Sequence, residues 1–177
     1  LSLNPLRHID IMGLVMMAVC HFGWAKPVPV DMRNFRRPKA GMALTALAGP
    51  VSNVLLAYVA VLFASASAAV YMCSGSKVVY YLWLFFFYLE IMSAGLAVFN
   101  LFPIPPLDGS KVLFAVLPDA WYGKLMRYER FGMVLLAVLL LTGVLDTPLS
   151  FLRDGLTGAL EAIGTWPADL ILNAFGA

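Results

Sequence analysis

Charge is what this sequence has least of. Only 12% of its 177 residues are Asp, Glu, Lys or Arg, about half the share found in soluble domains. A soluble globule of this size needs far more polar surface than that, so a soluble fold is excluded. Cysteine occurs twice, at Cys20 and Cys73, and histidine twice, at His8 and His21. Neither pair has the spacing of a disulfide framework or of a self-contained zinc motif. No low-complexity tract and no internal repeat is present. Nor is there a long polar body behind one leader-like segment, because apolar stretches recur to the end of the chain. The net charge is only +2, and no nucleic-acid partner is expected. An initial Met is missing too: the chain opens at Leu1 in loop-like sequence and reads as the later part of a longer polypeptide.

What the sequence has instead is apolar length, with 62% hydrophobic residues. The lipid bilayer is therefore its expected surrounding. Residues 41–71 carry no charge, and residues 78–102 carry only Glu90. Each run reaches the roughly 20 residues that a spanning helix needs. Residues 131–145 form a third, shorter run. Residues 11–24 are apolar but too short to span upright, and are expected to re-enter or tilt. The tail, 147–177, is weaker and carries Arg153, Asp154, Glu161 and Asp169 at intervals. It reads as an interfacial amphipathic helix. The expected fold is thus an all-α polytopic membrane protein with about three transmembrane helices, a short re-entrant or tilted segment and an interfacial C-terminal helix. The membrane core is expected over 1–146 and the tail over 147–177.

Charge distribution orients these spans. Lys26, Arg33, Arg36, Arg37 and Lys39 crowd one loop, and Lys111, Lys124, Arg127 and Arg130 follow the second long run. Both segments belong on the cytoplasmic side by the positive-inside rule. The two long runs lie between them, an even number, so the assignment is self-consistent. The expected location is the cell membrane, a bacterial inner membrane, with several passes.

The stretch FNLFPIPPLDGSKVLF, residues 99–114, breaks every habit of a membrane helix. Pro103, Pro105 and Pro106 have no backbone N–H and hold the residues before them extended. The second long helix must therefore stop near Phe102, and an unwound strip follows at membrane depth. Such backbone is tolerated only where protein covers it or it lines a cavity. There it can receive an extended peptide, which makes Pro103, Ile104, Pro105 and Pro106 candidate substrate-binding residues. Asp108 follows, and three readings of it stand together: a helix N-cap, an ion pair with Lys111, or a metal ligand. The cluster AGPVSN, 48–53, reads as a packing notch in the first long helix, or as a close fit beside the strip. In the second case Asn53 and Asn100 point into one polar site. Glu90 is mid-span, where it serves as an ion or proton site or faces a neighbouring helix. Cys20 and His21 are adjacent and diverge on a helix, so they do not combine with Asp108 as ligands.

Four stretches, LSLNPLRHID (1–10), FGWAKPVPV (22–30), ALAGPVSN (46–53) and FNLFPIPPLDG (99–109), together resemble the site-2 protease family. These are M50-type intramembrane zinc metalloproteases, here in the short bacterial form without a PDZ domain. The resemblance covers residues 1–145. It implies that Asp108 is one of three protein ligands to Zn²⁺, the other two being histidines of an H-E-x-x-H helix whose Glu is the general base. It also implies that Asn53 and Asn100 are polar active-site residues able to stabilise an oxyanion. No H-E-x-x-H occurs in this sequence, and Ile11 stands where the family usually has Pro after Asp10. The expected function is hydrolysis of a peptide bond in or near a substrate's transmembrane helix, with a membrane protein as partner. This chain by itself is expected to be inactive. A non-catalytic pseudoprotease that binds membrane helices is the alternative, and an ion transporter using Glu90 and Asp108 is a third class.

Overall fold

The computed structural model describes residues 9–20, 35–118 and 131–175. All regular structure among these residues is helical. The chain divides into two compact units, residues 1–35 and 36–177. Of the first, helix α1 (Ile11–Cys20) is described; at 1.5 Å per residue it is ~15 Å long. The basic loop residues Lys26 and Arg33, both histidines and the segment carrying Lys124, Arg127 and Arg130 lie outside the described residues.

The second unit is built on two long helices, α2 (Pro38–Ser74) and α3 (Lys77–Leu101), each long and apolar enough to cross a membrane. Helix α2 starts where Pro38 supplies a preset φ at its first turn, a position that has no use for the missing N–H. It ends at Gly75, whose φ of 61° and N–H bond to the Tyr71 carbonyl form a left-handed cap. Ser76 then leads straight into α3, so the two helices make a hairpin. At 37 residues α2 is ~55 Å long, so it overreaches a ~30 Å hydrocarbon layer unless tilted.

The hairpin is packed by small side chains. Ala57, Ala60 and Ala64 of α2 and Ala94 and Ala97 of α3 are buried, while Leu55, Phe63, Phe85, Tyr88 and Met92 stand outward. In water that distribution would be inverted. In lipid, helices gain from close backbone approach rather than from hiding large apolar groups. Phe63 and Phe86 stack at 4.9 Å across the pair, and Tyr71 meets Tyr80 at 5.4 Å beside the turn.

After α3 come the short helix α4 (Asp108–Val116) and helix α5 (Phe131–Leu141). A turn at Gly143, φ 69°, then bends the chain by 86° into α6 (Asp146–Gly164), and α7 (Trp166–Phe175) ends the described chain. The tail thus holds two helices rather than one. Helix α6 packs on both long helices through Leu160, which joins Ala57, Val61 and Ala94 in the core.

Candidate active site

The break after α3 falls where the prolines require it. Phe102 is extended, with φ −61° and ψ 136°, and its N–H closes the last turn on the Phe99 carbonyl. Residues 102–107 then fold into a bend and a tight turn, closed by a Leu107 N–H bond to the Ile104 carbonyl at 2.9 Å. Three of these six residues are prolines, and Phe102 and Leu107 are already bonded. Among the described residues Ile104 is left with the strip's one uncommitted N–H. Pro103 is exposed; Ile104, Pro105 and Pro106 are half-buried.

Two glycines make this break compact. A Cβ on Gly109 would overlap the Leu101 carbonyl group and come within 2.6 Å of the Phe102 oxygen. A Cβ on Gly132 of α5 would overlap Pro105 and lie 2.7 Å from its carbonyl carbon. The start of α4 therefore folds back on the end of α3, with α5 closing against the strip.

Asp108 is the first residue of α4, in the turn where a negative charge meets the positive end of the helix dipole. Leu107, not Asp108, is the N-cap, and no side chain caps it. Of the readings open in the sequence, the ion pair is present: Lys111 Nζ donates to Asp108 Oδ1 at 3.0 Å, with each side chain about one-third exposed. The other oxygen, Oδ2, faces Gly49 of α2, where a Cβ would sit 3.5 Å away. The LDG and AGPVSN motifs, 59 residues apart between Gly49 and Asp108, are thereby brought together. Asn53 is half-buried one helical turn beyond Gly49, on the same face of α2. Asn100 is half-buried in the last turn of α3.

Two contacts at this end of the molecule leave little trace in the sequence. Lys39 Nζ donates to the Leu117 carbonyl at 2.7 Å, tying the foot of α2 to the end of α4, where carbonyls lack helical partners. Gly132 opens an apolar run and carries no motif. The Lys39 bond does place described members of both basic segments, Lys39 and the helix holding Lys111, at one end of the hairpin.

A zinc ion needs about four donors, three of them from protein in a catalytic site. The Asp108 carboxylate is a suitable oxygen donor on a small-residue floor. Among the described residues no three His, Cys, Asp or Glu side chains gather to complete such a site.

The profile of peptidase family M50 matches residues 30–144, most of the chain. The chain belongs to peptidase family M50. It is 34% identical over 148 residues to a Bacillus subtilis (strain 168) protein named "Putative zinc metalloprotease YwhC", covering 80% of this chain and 65% of that one. It is also 38% identical over 104 residues to "Putative zinc metalloprotease MJ0611" of Methanocaldococcus jannaschii, covering 58% of this chain and 49% of that one. The M50 chain thus spans less than two thirds of each relative's length. No solved structure matches it. Family and helices together make it a membrane protein of the site-2 protease family.

Proposed function

We propose that this chain carries the LDG half of an intramembrane zinc endopeptidase. The observation that carries the reading is the seating of Asp108 Oδ2 over Gly49, beside an unwound strip, in an M50 chain. Asp108 is the oxygen ligand that this chain offers. The remaining ligands and the general base, absent here as an H-E-x-x-H, come from elsewhere in the polypeptide. When bound, zinc supplies a water of lowered pKa and polarises the scissile carbonyl.

Around that centre the chain's own residues hold the substrate. The strip at Pro103, Ile104, Pro105 and Pro106 receives a peptide already unwound, with the Ile104 N–H free to anchor one carbonyl. Asn53 and Asn100 donate amide hydrogens to the oxyanion. Lys111 fixes one Asp108 oxygen and leaves the other to the metal. The substrate is a transmembrane segment of another membrane protein, and the site of action is the bacterial inner membrane.

Zinc content of the purified full-length protein tests the assignment without reference to activity. One zinc per protein is expected, with at least a tenfold loss of affinity in Asp108→Ala; the loss of a protein-supplied ligand costs well over the ~1.4 kcal/mol that tenfold requires. Full occupancy in that variant refutes Asp108 as a ligand.

A second reading rests on a plain fact of sequence: 177 residues contain no H-E-x-x-H. If full-length protein binds a transmembrane peptide but neither holds zinc nor cuts, it is a helix-binding pseudoprotease. The ion-transporter reading has no support from family membership.

A further inference from the structure

The foot of α2 carries charge that no described carboxylate answers. Arg37 is the N-cap of α2 and Arg36 precedes it; both are exposed, and the first turn of the helix holds no acid. Among the described residues neither arginine has an ion pair. Lys39 differs, because its amine is committed to the Leu117 carbonyl.

A groove of about 660 Å³ opens beside these cations, within the ~300–1,000 Å³ usual for small-molecule sites. Arg37 lines one end, Ala40 and Ala43 of α2 form one wall, and Val112, Ala115 and Val116 of α4 form the other. The bond from Lys39 to Leu117 ties the same two helices together. An occupant therefore meets cations at one end and only aliphatic groups along the rest. Such a cleft offers water too few polar partners to hold it. The surfaces beside it also suit hydrocarbon, since Leu44 is 73% exposed and Val116 83%.

This end of the hairpin bears the basic segments, which the positive-inside rule assigns to the cytoplasmic face, where anionic headgroups gather. A free phosphate would satisfy the arginines and leave the apolar walls bare. A zwitterionic lipid would fill the walls but offset its phosphate with its own cation. A lipid of net negative charge matches both parts, because a guanidinium pairs well with phosphate oxygens.

We propose that the groove between α2 and α4 binds one anionic phospholipid, with its phosphate on Arg36 and Arg37 and an acyl chain between Ala43 and Val112. Val112 lies one turn along α4 from Asp108, so the lipid braces the helix that carries the carboxylate. The site is independent of zinc and of proteolysis.

Native mass spectrometry of the full-length protein, with dioleoyl phosphatidylglycerol or dioleoyl phosphatidylcholine added to the detergent, tests the site. One phosphatidylglycerol per protein is expected to survive, in clear preference to phosphatidylcholine. Its affinity should fall about fivefold in Arg37→Gln and about 30-fold when Arg36→Gln is added, the scale of one and of two basic side chains at an anionic surface. Ala43→Trp fills the groove and keeps both arginines, and it should lose most of the binding; Ala115→Trp does the same from the opposite wall. Equal retention of the two lipids overturns the charge match, and unchanged binding in both tryptophan variants overturns the groove. Full release of the lipid by millimolar inorganic phosphate would make this a phosphate site. A dimer in the parent protein that Ala43→Trp splits would make a second copy the occupant. Either result refutes the proposal.

Discussion

Gly109→Ala should be among the most damaging single-methyl changes available in this chain. The reason lies in the break rather than in the helix that follows. An ordinary contact between non-bonded heavy atoms is about 3.5 Å, whereas the new Cβ would lie 2.6 Å from the Phe102 oxygen and overlap the Leu101 carbonyl. The carbonyls must retreat by roughly an ångström, yet they are fixed: Leu101 closes α3, and Phe102 is held extended before Pro103. Overpacking against side chains costs about 1–3 kcal/mol, and against backbone the upper end is the minimum, so ~3 kcal/mol is expected. For a chain of this size that is a fall in melting temperature of roughly 6–12 °C. The control is Gly155→Ala in α6, where a Cβ meets nothing within 4 Å. There the methyl should stabilise by up to ~1 kcal/mol through helix propensity. Thermal unfolding of the two variants in one detergent compares them directly. If Gly109→Ala melts within a degree or two of the parent, α4 does not fold back on α3 as described.

Gly132→Ala should lower stability by about 1–3 kcal/mol in the same assay, because its Cβ overlaps Pro105; an unchanged melting point would separate α5 from the strip. Lys111→Gln should cost under ~1 kcal/mol, since both partners of its ion pair are about one-third exposed, and zinc titration should show binding retained. A loss of zinc as large as that in Asp108→Ala would make Lys111 part of the metal site rather than a support. In a cleavage assay, Gly or Pro placed near the scissile bond of a substrate span should raise the rate, because an intact helix keeps its carbonyls bonded. Equal rates on rigid and broken helices would exclude a strip that accepts unwound peptide.

The two long helices were legible because their signal is cumulative. The runs over 41–71, without charge, and 78–102, with Glu90 alone, anticipate Pro38–Ser74 and Lys77–Leu101 to within a few residues. The missed residues at the foot of α2 are Pro38, which suits a first turn, and Lys39, whose amine reaches Leu117 instead of lipid. The stop at Phe102 was equally legible, because proline chemistry is local. Asp108 was harder. Three local readings competed, and the seating of Asp108 against Gly49 depends on how α2 lies against α4, which no window of sequence contains. The tail's sparse charges conceal α6, whose inward face is a few small and apolar residues, Leu160 and Gly164 among them.

The prolines of the strip solve a problem that the proposed chemistry creates. Presenting a peptide bond to a cleaving centre inside a bilayer requires unwound backbone, and each N–H freed there without a partner costs several kcal/mol. A strip of six ordinary residues would free up to six. Here three positions are proline and have no N–H to strand, Phe102 bonds back to Phe99, and Leu107 bonds to Ile104. One donor, at Ile104, is left over. Within residues 102–107 the freed donors are thus reduced to a single N–H, placed four residues before Asp108, where a bound peptide can satisfy it. Gly109 and Gly132 complete the device by letting α4 fold back on the end of α3 and α5 close on the strip at Pro105. The same residues that end the helix therefore limit what ending it costs, and they leave polar capacity at the point where the proposed substrate has to dock.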